Sequence, residues 1–160
     1  MVKTLKSKTT KHTSTSSKKV FYTLKAAQTM QIGRELVKNL KKGDIICLSG
    51  ELGAGKTTLV KGIARGLKIE NDILSPTFVL VREYPIKNDA KFCHIDLYRI
   101  NEPQFFDSGM EQYFTDSNIC AVEWPERIKG MIPKRHIKIE MKSTKNNSRK
   151  IVISYKGYKQ

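Results

Sequence analysis

Cysteine and long apolar runs are scarce in this sequence of 160 residues, and their scarcity excludes several classes of protein. The three cysteines, Cys47, Cys93 and Cys120, lie inside apolar segments, and no two of them have the spacing of metal ligands. We therefore exclude a disulfide-rich or zinc-bound scaffold and expect free thiols in a reducing compartment. No apolar segment approaches the roughly 20 residues that a membrane span requires, and the first residues contain no hydrophobic signal core. We expect a cytoplasmic protein without membrane contact.

Acidic residues are also few. The sequence has 15 aspartates and glutamates against 30 lysines and arginines, which gives a formal net charge of +15. Residues 1–19 contain six lysines and no acid and are rich in serine and threonine, which predicts a disordered basic extension. Residues 20–160 have the length of one domain. The charge fits either an RNA-related or other acidic partner or a lysine-rich solvated surface. The sequence contains no basic motif interleaved with aromatic residues, so both explanations of the charge stay open.

The sequence does contain one strong motif, which runs from Gly50 to Thr57 and has the pattern G-x-x-x-x-G-K-[ST]. An apolar, strand-forming run at residues 44–48 precedes the motif, and apolar residues at helical spacing follow it at Leu59 and Ile63. Strand, glycine loop and helix are the context that a phosphate-binding loop requires. This combination disfavours the alternative of a glycine-rich turn that binds nothing.

The residue types of this motif suit a triphosphate. Glycines let backbone N–H groups turn inward around phosphate oxygens, and the following helix adds free N–H groups and the positive end of its dipole. Lys56 would supply a mobile positive charge for the outer phosphates, and Thr57 would place its hydroxyl on a magnesium ion. The motif therefore predicts a nucleotide bound together with Mg²⁺.

The apolar periodicity predicts one α/β domain. Strands are predicted at residues 20–24, 44–48, 78–84, 91–98 and 118–124, and a C-terminal antiparallel hairpin at residues 137–141 and 151–155. Helices are predicted at residues 26–40, 56–67 and 102–114, with a short one at residues 125–128. A turn at Asn88-Asp89 makes two of the strands a hairpin, which a purely parallel sheet would not contain. We expect a P-loop NTPase-like sandwich with a mixed parallel and antiparallel sheet and flanking helices.

Two acids stand at the carboxyl ends of predicted strands, where open α/β sheets place groups near such a loop. Glu123 ends an apolar run of the kind that carries a metal-associated acid, and an ordinary strand-end carboxylate is the alternative. The spacing of Asp96 leaves a site role and a structural role open. Thr77 could sense the outer phosphate or belong to a plain Ser-Pro-Thr turn. His94 is expected to be a half-buried structural histidine.

Four separate stretches together match the motifs of one family, and they occur in the same order and at the same spacing as those motifs. They are Gly50-Glu51-Leu52-Gly53-Ala54-Gly55-Lys56-Thr57-Thr58, Ser75-Pro76-Thr77-Phe78, His94-Ile95-Asp96-Leu97-Tyr98-Arg99 and Val122-Glu123-Trp124-Pro125. Over residues 20–133 the sequence resembles TsaE (also called YjeE), the bacterial P-loop ATPase family of tRNA threonylcarbamoyladenosine biosynthesis. The lysine-rich start and the basic C-terminal hairpin depart from the family pattern but touch none of these stretches.

The resemblance implies a small mixed-sheet protein that binds ATP and Mg²⁺ and is a weak ATPase by itself. It also implies two partner proteins, TsaD and TsaB, which transfer a threonylcarbamoyl group to adenosine 37 of tRNAs that read codons beginning with A. The chain would not perform that transfer. Its ATP hydrolysis would reset the complex between turnovers, and it would meet tRNA indirectly, through that complex.

Carried onto this sequence, the resemblance implies a set of site residues. The ATP-binding loop corresponds to Gly53, Ala54, Gly55, Lys56, Thr57 and Thr58. Thr57, Glu123 and Asp96 correspond to the residues around magnesium, and Lys56, Asp96 and Glu123 are the expected catalytic residues. Thr77 corresponds to a switch-like threonine that contacts the nucleotide, and Thr29 to a threonine near the nucleotide. Trp124 would report the state of the nucleotide or the partner.

Two other hypotheses explain the same motif. A small-molecule kinase would need arginines on a mobile lid and an acceptor pocket, whereas Arg99 and Arg127 stand alone in this sequence. A basic RNA-binding module with a vestigial loop would not need the intact Lys56, Thr57 and Glu123. Both alternatives are therefore weaker than the accessory ATPase.

Overall fold

The structure is a computed structural model that describes residues 18–145 and 148–158. These residues form seven strands and three α-helices. The strands are β1 (Lys18–Thr23), β2 (Ile45–Ser49), β3 (Val81–Ile86), β4 (Ala90–Asp96), β5 (Ile119–Glu123), β6 (His136–Ser143) and β7 (Arg149–Lys156). The helices are α1 (Ala26–Leu36), α2 (Lys56–Gly66) and α3 (Glu102–Asp107), and short 3₁₀ helices span Val37–Asn39, Met110–Tyr113 and Pro125–Ile128.

The described strands form one sheet in the order β1-β7-β6-β2-β5-β4-β3. Its centre is parallel, because β2 pairs with both β5 and β6, and β4 pairs with β5. Its flanks are antiparallel, through the pairs β6–β7, β1–β7 and β3–β4. The predicted single-domain α/β fold with a mixed sheet is confirmed. The parallel strands all end at the same edge of the sheet, which is where the glycine loop leaves β2.

The central strand β2 shows how the sheet is covered on both faces. Its side chains alternate, so that Leu48 packs in one apolar cluster with Leu59 of α2. Cys47 points to the other face and packs in a second cluster with Phe105 of α3. As expected, the three cysteines are free and buried. Burial raises the pKa of Cys47 to about 12, so this thiol stays protonated at neutral pH.

Helices α1 and α2 approach each other closely because glycines face the contact. A Cβ atom added at Gly62 would lie 2.1 Å from the carbonyl oxygen of Met30, and one added at Gly33 would lie 2.4 Å from that of Leu59. Both added atoms would meet backbone, which cannot rotate away. Gly33 therefore lies on the buried face of α1 because only glycine lets the backbones of α1 and α2 come this close. The contact helps to hold α2 against the sheet.

We expect Gly62→Ala to destabilise the fold by about 3 kcal/mol, because the new methyl group forces the two helices apart in a packed interior. The free energy of unfolding measured in urea tests this. Lys61→Ala, an exposed neighbour on the same helix, is the matched control and should change stability by less than about 0.5 kcal/mol. Equal stability of Gly62→Ala and the wild type would show that the helices can separate at no cost.

Three predicted boundaries are wrong for local reasons. The α-helical part of the first helix ends at Leu36, and a 3₁₀ helix completes the segment. The strand predicted to begin at residue 78 begins at Val81, because Leu80 has a φ of 66° and donates its N–H to the carbonyl oxygen of Pro76. That strand also continues through Pro85 rather than ending before it, since β3 is an edge strand and edge strands tolerate proline.

The helix predicted over residues 102–114 is interrupted. Helix α3 ends at Asp107, and Gly109 has a φ of 66°, in the left-handed region, before the 3₁₀ helix that follows. The turn predicted at Asn88-Asp89 is present, with positive φ at both residues. It joins β3 to β4 in the expected hairpin.

Strand β1 begins at Lys18 rather than at residue 20, so two residues of the predicted extension are in the sheet. Lys18 and Lys19 lie opposite Ser154 and Ile153 of β7. Backbone pairing of this kind does not depend on side-chain type, so composition could not show it. Residues 1–17 lie outside the described residues, as do residues 146–147 in the turn of the predicted β6–β7 hairpin. None of the helices in the described part of the chain has the length and apolar character needed to cross a membrane.

Candidate phosphate-binding site

A cleft of about 310 Å³ opens at the edge of the sheet where the parallel strands end. Its walls bring together most of the predicted site residues, from the glycine loop, the segment before β3 and the ends of β4 and β5. The lining residues are Leu52, Gly53, Gly55, Lys56, Thr57, Thr58, Ser75, Thr77, Asp96, Tyr98, Glu123, Trp124 and Arg149.

The glycine loop is built so that the start of α2 faces this cleft. A Cβ atom at Gly50 would lie 2.4 Å from the carbonyl oxygen of Met141, so the loop can rest against β6 only with glycine there. Gly55 is the N-cap of α2 and has a φ of 99°, in the left-handed region that favours glycine. The first turn of α2 has no side-chain cap and no acidic residue. Its N–H groups are therefore available to an anion.

Lys56 lies over the loop and is nearly buried, at 5% exposure. Its Nζ donates to the carbonyl oxygens of Gly50 (2.6 Å) and Glu51 (3.0 Å) and sits 4.1 Å from the centre of the Trp124 ring. Desolvation lowers the pKa of Lys56, and the negative charges of the neighbouring carboxylates, Glu123 first, oppose that shift. The loop thus holds a cation at its centre through contacts with its own backbone.

Glu123 links the loop to the sheet. Its Oε1 accepts a hydrogen bond from the hydroxyl of Thr57 at 2.9 Å and lies 2.9 Å from Nε2 of His94. His94 has no exposed surface, so the expectation of a half-buried histidine is wrong. It comes from β4, directly beside β5, and faces the carboxylate because the two strands are in parallel register. Side chains from α2 and β4 therefore hold one carboxylate oxygen of the residue that ends β5.

Asp96 occupies the equivalent place at the end of β4, opposite Glu123 in the register of the two strands. Its Oδ2 accepts a hydrogen bond from the hydroxyl of Thr77 at 2.7 Å, and its Oδ1 accepts one from the backbone N–H of Tyr98 at 2.9 Å. Thr77 Oγ1 also lies 2.7 Å from the hydroxyl of Ser75. The Ser-Pro-Thr segment is thus attached to an acid of the cleft.

The oxygen atoms in this cleft are of the types that magnesium prefers as ligands. Asp96 and Glu123 are both only 3% exposed. Glu123 lies against His94, and within residues 18–145 and 148–158 neither acid forms a salt bridge with lysine or arginine. Buried carboxylates are costly unless they are paired or coordinate a metal. In the same residues no group of three or more His, Cys, Asp or Glu side chains is arranged to hold a metal. The protein donors here, a hydroxyl and two carboxylates, would leave further positions of an ion to phosphate oxygens and water.

Trp124 closes one side of the cleft in an unusual backbone conformation. Its φ of 60° lies in the left-handed region, which a bulky residue adopts only when its surroundings impose it. The ring packs 5.0 Å from that of Tyr98, and its backbone N–H donates to the carbonyl oxygen of Leu48. This conformation turns the chain sharply after Glu123 and places the ring beside the Lys56 ammonium group.

Comparison with known proteins now decides the family. The model of the family described as "Threonylcarbamoyl adenosine biosynthesis protein TsaE" matches residues 23–151. The chain belongs to the TsaE family. The TsaE protein of Bacillus subtilis is 36% identical over 137 residues, which are 84% of each chain, and that of Aquifex aeolicus is 42% identical over 127 residues, 78% of this chain and 87% of that one. Both are named tRNA threonylcarbamoyladenosine biosynthesis proteins.

A solved structure agrees with this assignment. The crystal structure of YdiB from Bacillus subtilis superposes with a TM-score of 0.77 at 29% sequence identity, and the match covers 91% of this chain and 90% of that one. The resemblance to the TsaE family seen in four short stretches is therefore confirmed over most of the chain.

Two predicted nucleotide ligands of this TsaE-family chain do not line the cleft. Thr29 is fully buried in α1, and its hydroxyl lies 2.9 Å from that of Thr23. Its predicted position near the nucleotide stays a prediction. Ala54 is buried within the glycine loop, where its N–H donates to the carbonyl oxygen of Glu51. Any contribution of Ala54 to phosphate binding would come from the shape that it gives the loop.

Among the residues of this site that sequence reasoning missed are His94 and Arg149. His94 was assigned no site role, although it lies two residues before Asp96 on the same strand, β4. The parallel pairing of β4 with β5 brings its side chain to Glu123. Arg149 was missed because it follows the phosphate loop by more than 90 residues in the chain. Only the pairing of β7 with β6, and of β6 with β2, brings it to the cleft.

We expect His94→Phe to lower any magnesium-dependent activity of this chain about tenfold, because Glu123 loses one of the two hydrogen bonds that orient it. The activity should be measured across a magnesium titration, since a misoriented carboxylate raises the magnesium concentration that is needed. His94→Gln, which keeps an N–H donor, should recover part of the activity. An unchanged magnesium dependence in His94→Phe would make this histidine a packing residue only.

Proposed function

We propose that this chain is a cytoplasmic ATP-binding and hydrolysing protein required for threonylcarbamoyl modification of adenosine 37 in tRNA. It acts on the complex of TsaD and TsaB and does not transfer the group itself. The observation that carries the proposal is the hydrogen bond between Thr57 and Glu123 at the base of a glycine loop, in a chain of the TsaE family. Relatives of that family carry the name of this tRNA modification pathway.

The glycine loop supplies the phosphate site. Phosphates of ATP would accept hydrogen bonds from the free N–H groups at the start of α2. Lys56 would exchange its contacts with the carbonyl oxygens of Gly50 and Glu51 for phosphate oxygens. This exchange is favourable because a charge-assisted bond to phosphate is stronger than a bond to a neutral carbonyl.

Thr57, Glu123 and Asp96 would hold magnesium. An ion held by these residues would supply positive charge to the outer phosphates. His94 keeps Oε1 of Glu123 in place through its Nε2 contact, and Thr77 does the same for Oδ2 of Asp96. The acids are thus held before a nucleotide arrives, which is the arrangement that electrostatic stabilisation of a transition state needs.

The segment that follows Ser75 supports an action on partner proteins. Thr77 is bonded to Asp96 in the cleft, while Phe78 next to it is 82% exposed and Val79 is 54% exposed. A contiguous exposed apolar patch is one mark of a surface that contacts another protein, and these two neighbours would form part of it. A change at the outer phosphate would pass from Asp96 through Thr77 to these two residues. This link would let the partners respond to ATP hydrolysis.

The test is reconstitution of the modification. Purified TsaD–TsaB complex, a threonylcarbamoyl donor and an unmodified tRNA are incubated with ATP and magnesium, with or without this chain, and modified adenosine per complex is counted. We expect several turnovers per complex with the wild-type chain and about one or fewer without it or with Glu123→Gln. A yield that does not depend on this chain would contradict the proposal.

A further inference from the structure

Arg149, the first residue of β7, contributes a second basic side chain to the cleft beside Lys56. A Cβ atom placed on Gly55 would lie 3.1 Å from its Nε and 3.2 Å from its Cδ. The guanidinium-bearing side chain therefore runs along the glycine loop at the point where α2 begins. This position is next to the N–H groups that the loop presents.

Arg149 and the two acids approach the loop from opposite sides. Strand β2, which carries the loop, has β5 on one side and β6 on the other. Glu123 and Asp96 end β5 and its neighbour β4, whereas Arg149 begins β7, the neighbour of β6. An outer phosphate with magnesium belongs with the acids. With the outer phosphate on that side, as the proposed function has it, the side of Arg149 is left for the inner phosphates.

The position of Arg149 is fixed by the hairpin that carries it. The backbone N–H of Thr144 donates to the carbonyl oxygen of Ser148 at 2.8 Å, which closes the β6–β7 turn next to Arg149. Gly50 of the loop packs directly on Met141 near the end of β6. Loop and hairpin are thus in direct contact, and the backbone that carries Arg149 is already placed beside the loop.

We propose that Arg149 binds the inner phosphates of the nucleotide and sets the affinity for the diphosphate and the triphosphate alike. The inference rests on the proposed function, because it assumes that the cleft takes a nucleotide. Arginine suits this task, since its planar guanidinium can bind two phosphate oxygens at once. Lys56 serves the outer phosphates and Arg149 the inner ones, so the two cations have separate roles.

The experiment is calorimetric titration of the full chain with ADP and with a non-hydrolysable ATP analogue. The variants are Arg149→Ala and Arg149→Lys, with Lys150→Ala as the matched control. Lys150 is the next residue of β7, so its side chain alternates to the other face of the sheet. We expect Arg149→Ala to weaken both ligands by about tenfold, Arg149→Lys to lie between it and the wild type, and Lys150→Ala to bind normally.

The outcomes separate this inference from the proposed function. Loss of affinity for the triphosphate analogue alone would place Arg149 at the outer phosphate and overturn the inference. Normal affinity of Arg149→Ala for both ligands would also overturn it while leaving nucleotide binding intact. A wild-type chain that binds neither ligand would overturn the proposed function and the inference with it. Thermal unfolding of each variant checks that a loss of binding is not a loss of fold, and Arg149→Lys remains informative if Arg149→Ala unfolds.

Discussion

Glu123→Gln should lower ATP turnover by at least about 100-fold while the chain still binds nucleotide. The amide has the size of the carboxylate and keeps an oxygen that can accept from Thr57, but it has lost the negative charge that would face magnesium. Losing one preorganised electrostatic contact of a reacting phosphate costs on the order of 100-fold in rate. The measurement is phosphate release at saturating ATP and magnesium, with ADP affinity determined separately in the absence of magnesium.

Glu140→Gln is the control for this change. It removes a carboxylate from β6 that pairs with Lys138 at the surface and lines no part of the cleft. Its turnover should match that of the wild type. A Glu123→Gln variant with normal turnover would remove this acid from the reaction and leave Asp96 as the candidate ligand of magnesium.

Lys56→Met should weaken ATP binding by about 100-fold, which corresponds to about 2.7 kcal/mol of binding free energy. Methionine keeps much of the length and packing of the lysine side chain beside Trp124 but removes its charge. Folding should not suffer, because the loop then no longer buries an ammonium group whose pKa desolvation lowers. Equilibrium titration with a non-hydrolysable ATP analogue gives the affinity, and urea unfolding gives the stability.

Lys61→Met tests the same substitution on the exposed side of α2 and should bind ATP as the wild type does. Wild-type affinity in Lys56→Met would mean that the phosphates never replace the carbonyl oxygens of Gly50 and Glu51 as partners of this lysine. Lys56 would then have no part in phosphate binding, and the loop could act only through the N–H groups at the start of α2.

The local part of this site could be predicted from the sequence because it is contiguous. Gly50 to Thr57 form one loop between a strand and a helix, so residue type and spacing determine its shape. Glu123 and Asp96 could be predicted because parallel strands end at one edge, and an acid at a strand end is brought there by the fold class alone. The mixed sheet followed from a single turn signal at Asn88-Asp89.

The rest of the site depends on contacts between distant segments, and no local pattern encodes those. The contact of His94 with Glu123 requires the register of two strands that are more than 20 residues apart in the chain. Arg149 reaches the loop only through the order of three neighbouring strands. The left-handed backbone of Trp124 contradicts the preference of a bulky residue, so tertiary contacts had to override local propensity. The late start of β3 has a different origin, because it reflects the local turn in which Leu80 donates to Pro76.

The most direct test of the account is ATP hydrolysis by the purified chain, measured with and without the purified TsaD–TsaB complex and with Lys56→Ala as the inactive control. We predict slow turnover by the chain alone, a clear change in that rate when the complex is added, and no turnover in the variant. Hydrolysis that ignores the complex but is stimulated by a small metabolite, which itself becomes phosphorylated, would make this chain a kinase and contradict its assignment to tRNA modification.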